Sequence, residues 1–198
     1  NMLAYLQDEG YELTGEPSEA DIIIVNTCGF IDSAKQEAID TILEMAEYKK
    51  DKCKYLIVTG CLSQRYMQDI ENEFPEVDMF LGTANYHKLP IFIRNMVQGQ
   101  GEKCYVNDKD DRKFSPKRVL TTPYHYAYLK IAEGCDNKCT YCAIPNIRGK
   151  YTSRNRGYSR RGKVTRQRLR HKRVDSRRAR RIEIRYRYLR QNQVDRIA

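Results

Sequence analysis

Two short runs of branched aliphatic residues constrain this chain most. Asp21-Ile-Ile-Ile-Val25 and the stretch from Lys54 to Val58 are continuously apolar, without the alternation of a half-solvated strand. Such runs mark strands buried on both faces, which need helices above and below them. The intervening segments supply those helices. Asn1 to Glu9 reads as a helix with Met2, Leu3 and Leu6 on its apolar positions. Ser33 followed by Gln36 reads as a capping box, opening a helix on which Ile39, Ile42, Leu43 and Ala46 recur. A helix carrying Met67 and Ile70 follows the second run, then a strand around Val77 to Leu81 and a helix with Leu89, Ile93 and Met96. Strands alternating with helices predict an α/β fold built on a parallel sheet.

In such sheets ligands gather at the carboxyl ends of the strands. Cys28 and Cys61 each stand just beyond one of the two apolar runs, so both should reach the same rim. The competing reading is a pair of ordinary buried cysteines, a common fate for this residue. Cys53 and Cys104 sit in polar surroundings and receive no role.

A second feature lies between Leu129 and Arg154. Cys135, Cys139 and Cys142 form a Cys-x3-Cys-x2-Cys spacing. Thiolates are the usual ligands of iron–sulfur clusters. Three of them on a four-iron cluster leave one iron open for a bound molecule, whereas structural metal sites close every position. Gly134, Asp136 and Asn137 favour a turn here, and Pro145 interrupts simple helix continuation. Two other readings compete: a zinc knuckle completed by His125, and three buried cysteines on one helical face. Zinc pairs are normally spaced differently, and the polar turn argues against the helix.

Bulk properties narrow the class. With 198 residues and 40% hydrophobic content, one or two domains with a proper core are expected. No run of about 18 apolar residues is present, so no membrane helix is predicted. Seven cysteines, an odd number with three clustered, suit a reducing cytoplasm and metal ligation better than a disulfide framework. The net charge of +10 is unevenly distributed: residues 1–153 carry −5 and residues 154–198 carry +15.

The cysteine spacing, with Tyr141 just before the last cysteine, resembles the radical S-adenosylmethionine signature. VNTCGFIDSAKQEAIDTILEMA and VTGCLSQRY resemble the amino-terminal domain of the methylthiotransferases, and KIAEGCDNKCTYCAIPNIRGKYTSR resembles their radical domain. Together with a polar linker these cover residues 1–154. Gly29-Phe30-Ile31-Asp32 and Asp136-Asn137-Lys138 resemble the RimO branch, which methylthiolates the β-carbon of an aspartate in small-subunit ribosomal protein S-twelve.

The resemblance implies an amino-terminal methylthiotransferase domain over 1–100 with its first strand missing. It also implies a linker over 101–122 and the start of a radical (β/α) barrel over 123–154, entered by a strand from Tyr126 to Ile131. Cys135, Cys139 and Cys142 would hold the 4Fe-4S cluster that binds S-adenosylmethionine, with Tyr141 packing near its adenine. Cys28 and Cys61 would be two of the three ligands of a second 4Fe-4S cluster, the third lying upstream. Ribosomal protein S-twelve and an electron donor are the implied partners, in the cytoplasm. The sister branch acting on tRNA adenosine is the alternative enzyme. A zinc-dependent RNA-binding module is the alternative of another class. Arg148 and Gly149 match the family but receive no chemistry.

Beyond Arg154 the resemblance stops. The tail over 155–198 reads either as an arginine-rich RNA-binding arm or as a frameshifted translation. Read one base later, codons allowed for Asn155 to Gly162 can spell Ile-Glu-Asp-Ile-Val-Glu-Glu-Val, which resembles the family's amphipathic acidic helix. In the same phase Lys172 to Arg180 can spell a stretch resembling a buried barrel strand, and Tyr188 to Ile197 can spell Ile-Tyr-Gly-Lys-Ile-Lys-Leu-Thr-Glu-Leu. The frameshift is the preferred reading, which makes RNA binding by the tail unexpected. Its like charge predicts disorder, and the chain as written is expected to be inactive.

Overall fold

The computed structural model describes residues 2–106, 119, 128, 130, 132–153 and 194–197. Their principal element is a sheet in the order β1-β8-β2-β3-β4-β5. Its strands are β1 (Leu13–Thr14), β2 (Ile22–Thr27), β3 (Tyr55–Gly60), β4 (Met79–Leu81), β5 (Cys104–Tyr105) and β8 (Val194–Ile197). β2, β3, β4 and β5 pair in parallel, as the alternation of strands and helices predicts. β5 lies within the stretch expected to be linker.

The two apolar runs become β2 and β3, and their alternate residues divide the core. Ile23, Val25, Leu56, Val58 and Phe80 face one side, packed by Ala38, Ile42 and Met45 of α2 (Asp32–Glu47) and by Leu62 and Ile70 of α3 (Cys61–Glu73). Ile22, Ile24, Ile57, Met79 and Leu81 face the other. There they meet Met2 and Leu6 of α1 (Met2–Asp8) and Leu89 and Ile93 of α4 (Leu89–Val97). Each strand is therefore apolar at consecutive positions because both of its faces are covered. Full burial of a Leu or Ile side chain stabilises by about 1.5–3 kcal/mol, so these strands anchor the domain.

Two expectations are corrected. The capping box does not form: α2 begins at Asp32, its N-cap is Ile31, and no side chain caps it. Asp32 instead pairs with Lys35 one turn on, and Gln36 donates to Asp40 at 2.9 Å. Cys53 is not in polar surroundings but 4% exposed in the core, where its thiol donates to the Tyr55 carbonyl at 3.3 Å. Of the basic tail the described residues are Val194–Ile197, which pair antiparallel with both β1 and β2. The outer edge of β2 offers a row of backbone donors and acceptors, and any extended segment satisfies them. The remainder of the tail and the strand expected from Tyr126 to Ile131 lie outside the described residues, Tyr128 and Lys130 excepted. Among the described residues no helix is long and apolar enough to cross a membrane.

The smaller element is a two-stranded antiparallel pair, β6 (Ala132–Glu133) with β7 (Thr152–Ser153), enclosing the three-cysteine loop and α5 (Ile144–Arg148).

Candidate functional site

The parallel register between β2 and β3 ends on Thr27 opposite Gly60, which places Cys28 and Cys61 side by side one residue further on. The Thr27 hydroxyl donates to the Thr59 carbonyl at 2.7 Å and ties the two strand ends together. Gly60 turns the chain from β3 into α3 with φ +111°, and a methyl group there would stand 2.3 Å from the Thr27 carbonyl oxygen. Only glycine combines that dihedral with that approach. Cys61 is buried and Cys28 half-buried. Burial pushes the Cys28 thiol above its ordinary value. A backbone hydrogen bond at Phe30 and the charge of Arg148 oppose the rise, and the neighbouring Cys61 adds to it.

The three-cysteine loop has a closed neck. The Cys135 amide donates to the Gly149 carbonyl at 3.1 Å, and the Tyr151 amide donates to the Asp136 carboxylate at 2.9 Å. Gly134 has φ +74°, and a methyl group on it would meet the Lys150 carbonyl oxygen at 2.1 Å. At the far end the Cys142 amide donates to the Cys139 carbonyl at 3.1 Å, a tight reversal between these two cysteines. Cys139 is exposed, while Cys135 and Cys142 are half-buried, and none of the three is in a disulfide. Tyr141 is 88% exposed.

The loop is docked onto the sheet rim by α5. Ile144 and Ile147 are buried, and the Thr83 hydroxyl donates to the Ile147 carbonyl at 3.2 Å. Arg148 ends α5 and makes two further contacts. It donates through Nη2 to Cys61 Sγ at 3.3 Å and through Nη1 to Glu133 Oε1 at 3.5 Å. Glu133 also pairs with Lys130. Tyr86, in the turn after β4, packs against the Ile24 side of the core and lies near enough to feel the same charges. Burial raises its pKa, and the charge of Arg148 pulls the other way while those of Cys61 and Glu133 add to the rise.

The arrangement thus brings together Cys28 and Cys61, as the strand ends imply, and sets the stem of the three-cysteine loop against them. Arg148, Glu133, Thr83 and Tyr86 were missed by sequence reasoning. The arginine–glycine pair closing α5 was visible, but its partner Cys61 lies 87 positions away. Among the described residues no three His, Cys, Asp or Glu side chains converge as a metal-binding group. By donor chemistry the loop nonetheless fits a cluster: three free thiols on one short loop with a fixed neck are the soft ligands that iron–sulfur centres use. Cys28 and Cys61 are two further thiols of the same kind, and Cys61 lies beside the Arg148 guanidinium.

Residues 1–82 match the Uncharacterized protein family UPF0004. That stretch, with the region beyond it, is similar to curated enzymes of known name. A ribosomal protein uS12 methylthiotransferase RimO from Caldicellulosiruptor saccharolyticus is 54% identical over 155 residues, covering 77% of this chain and 35% of that protein. The RimO of Clostridium tetani is 54% identical over 153 residues, covering 77% and 34%. One from Clostridium botulinum is 55% identical over 146 residues, covering 73% and 33%. The chain spans about a third of the length of these relatives.

Proposed function

We propose that this chain carries the amino-terminal part of a transferase that places a methylthio group on ribosomal protein uS12 by radical S-adenosylmethionine chemistry. The observation that carries the reading is the identity of 54% over 155 residues to enzymes so named. The docking of the three-cysteine loop against Cys61 supports it.

In this reading Cys135, Cys139 and Cys142 hold a 4Fe-4S cluster, and Cys28 and Cys61 contribute to a second. When bound, the loop cluster supplies one-electron cleavage of S-adenosylmethionine, with electrons from a separate donor. The residues of the chain do the positioning. The neck hydrogen bonds of Cys135 and Tyr151 fix the loop's base, and the Cys139–Cys142 reversal fixes its tip. Buried Ile144 and Ile147 keep water from its inner side. Tyr141, exposed at the tip, is placed to stack on an aromatic ligand group such as adenine. The substrate aspartate would approach the rim that carries Cys28 and Cys61. The setting is the cytoplasm, where uS12 is made and assembled.

Two experiments test this. Anaerobic reconstitution with iron and sulfide should load about four irons on the loop, and the triple change of Cys135, Cys139 and Cys142 to Ala should remove them. Deleting the corresponding gene should leave the uS12 aspartate unmodified by mass spectrometry. A methylthio-adenosine lost from tRNA, with the uS12 adduct intact, would instead identify the sister reaction.

A further inference from the structure

We propose that Arg148 is a positioning residue that locks the three-cysteine loop to the sulfur of Cys61, holding the chain's two cysteine groups in one fixed relation. The inference rests on the reading that both groups bind clusters.

The case begins with what docks α5. Its apolar contacts, Ile144 and Ile147, are buried but non-directional, because the hydrophobic effect follows area rather than angle. The Thr83 hydroxyl holds one carbonyl of the helix, and a single hydrogen bond leaves a rotation about it. Arg148 removes that freedom. Its guanidinium is a planar fork with donors at fixed angles. One arm reaches Cys61 Sγ at 3.3 Å and the other reaches Glu133 at 3.5 Å. Glu133 stands two residues before Cys135, and Arg148 stands six residues after Cys142. The fork therefore grips both stems of the loop and the cysteine of the sheet rim at once.

Burial makes the grip effective. The Arg148 and Glu133 side chains are 14% and 9% exposed, and Cys61 is 4% exposed. Water screens such contacts poorly, so losing one member loosens the hold on the others, although Glu133 keeps its pairing with Lys130. A lysine could meet one partner but not both, since it is a single point charge on a flexible stem. The consequence is coupling: whatever fixes the Cys61 sulfur also fixes the loop, and the reverse.

Amide hydrogen exchange on the reduced, metal-free 198-residue chain tests this without any cluster. Arg148→Gln and Cys61→Ala should each speed exchange at the loop amides between Cys135 and Cys142, by about five-fold. The double variant should be no faster than Arg148→Gln alone, because that change already breaks the contact to Cys61. Arg148→Lys should fall between wild type and Arg148→Gln. Exchange in β3 should stay slow, which shows that the sheet remains folded. Unchanged loop exchange in Cys61→Ala, or additive effects in the double variant, would overturn the proposal. Should Arg148→Gln fail to fold, Cys61→Ala alone decides in the same way. In reconstituted protein, Arg148→Gln should shift the electron paramagnetic resonance line shape of the loop cluster at unchanged iron content. Lower iron with an unshifted line would assign Arg148 a merely structural role. Failure of the wild-type loop to bind iron would sink the cluster reading and leave the exchange result standing.

Discussion

The Thr83 hydroxyl donates to the carbonyl of Ile147 across 3.2 Å and joins the turn after β4 to the helix behind the three-cysteine loop. Both residues are buried, so that carbonyl has no water to turn to. The last carbonyls of any helix lack intrahelical partners, and in a helix as short as α5 one borrowed donor counts for much. Thr83→Val should cost about 1–3 kcal/mol, the penalty for a buried acceptor left unsatisfied. Urea unfolding of the two proteins measures it.

Ile147 itself is fully buried. Truncation to Ala should cost about 2–5 kcal/mol through lost transfer energy and the cavity left behind, whereas Ile147→Val should cost about 0.5–1.5 kcal/mol. If the loop side of α5 were loosely packed, the two losses would converge.

Gly60 and Gly10 make an internal comparison. Both have positive φ, but a methyl group at Gly60 meets the Thr27 carbonyl at 2.3 Å, while at Gly10 it meets nothing within 4 Å. Gly10→Ala should cost about 1 kcal/mol for the dihedral alone. Gly60→Ala should cost clearly more and should splay Cys28 from Cys61. Thermal unfolding and the yield of a Cys28–Cys61 crosslink with a short bifunctional reagent check both effects.

Cys104 gives a pH signature. Burial, followed by a hydrogen bond and then the charge of Glu71, pushes its thiol up to about 12. In the unfolded chain a cysteine loses its proton near ~8.5. Between those values the folded state binds more protons, so stability is full below about pH 8.5 and falls as pH rises towards 12. Cys104→Ala should flatten the loss of urea midpoint between about pH 8 and pH 10. Iodoacetamide should modify native Cys104 far more slowly than a free thiol at the same pH.

How much of this was legible in the sequence follows from the range of the forces involved. β2 and β3 were readable because consecutive apolar residues have one stable setting, a strand covered on both faces, and their cysteines inherited the rim by topology. The start of α2 was misread because a Ser-x-x-Gln pattern competes with an Asp one residue earlier that finds Lys35 one turn on. The burial of Cys53 was missed because its polar sequence neighbours point outward while its own side chain turns in. Arg148 was passed over for a different reason. Its meaning lies in Cys61 and Glu133, and no local pattern announces a contact made between separate parts of the chain.

The antiparallel entry of β8 beside β2 has a kinetic consequence. Ile22 pairs with Ile197, 175 positions further on, and contacts between such distant residues close late because the loop entropy must be met first. The domain's other strands are near neighbours in sequence and can assemble during synthesis. For that interval the Ile-Ile-Ile-Val edge of β2 stands open, a ready template for any extended peptide that arrives sooner. Nascent copies crowded together would compete with residues 194–197 for that slot, so the yield of folded protein should fall as its rate of production rises.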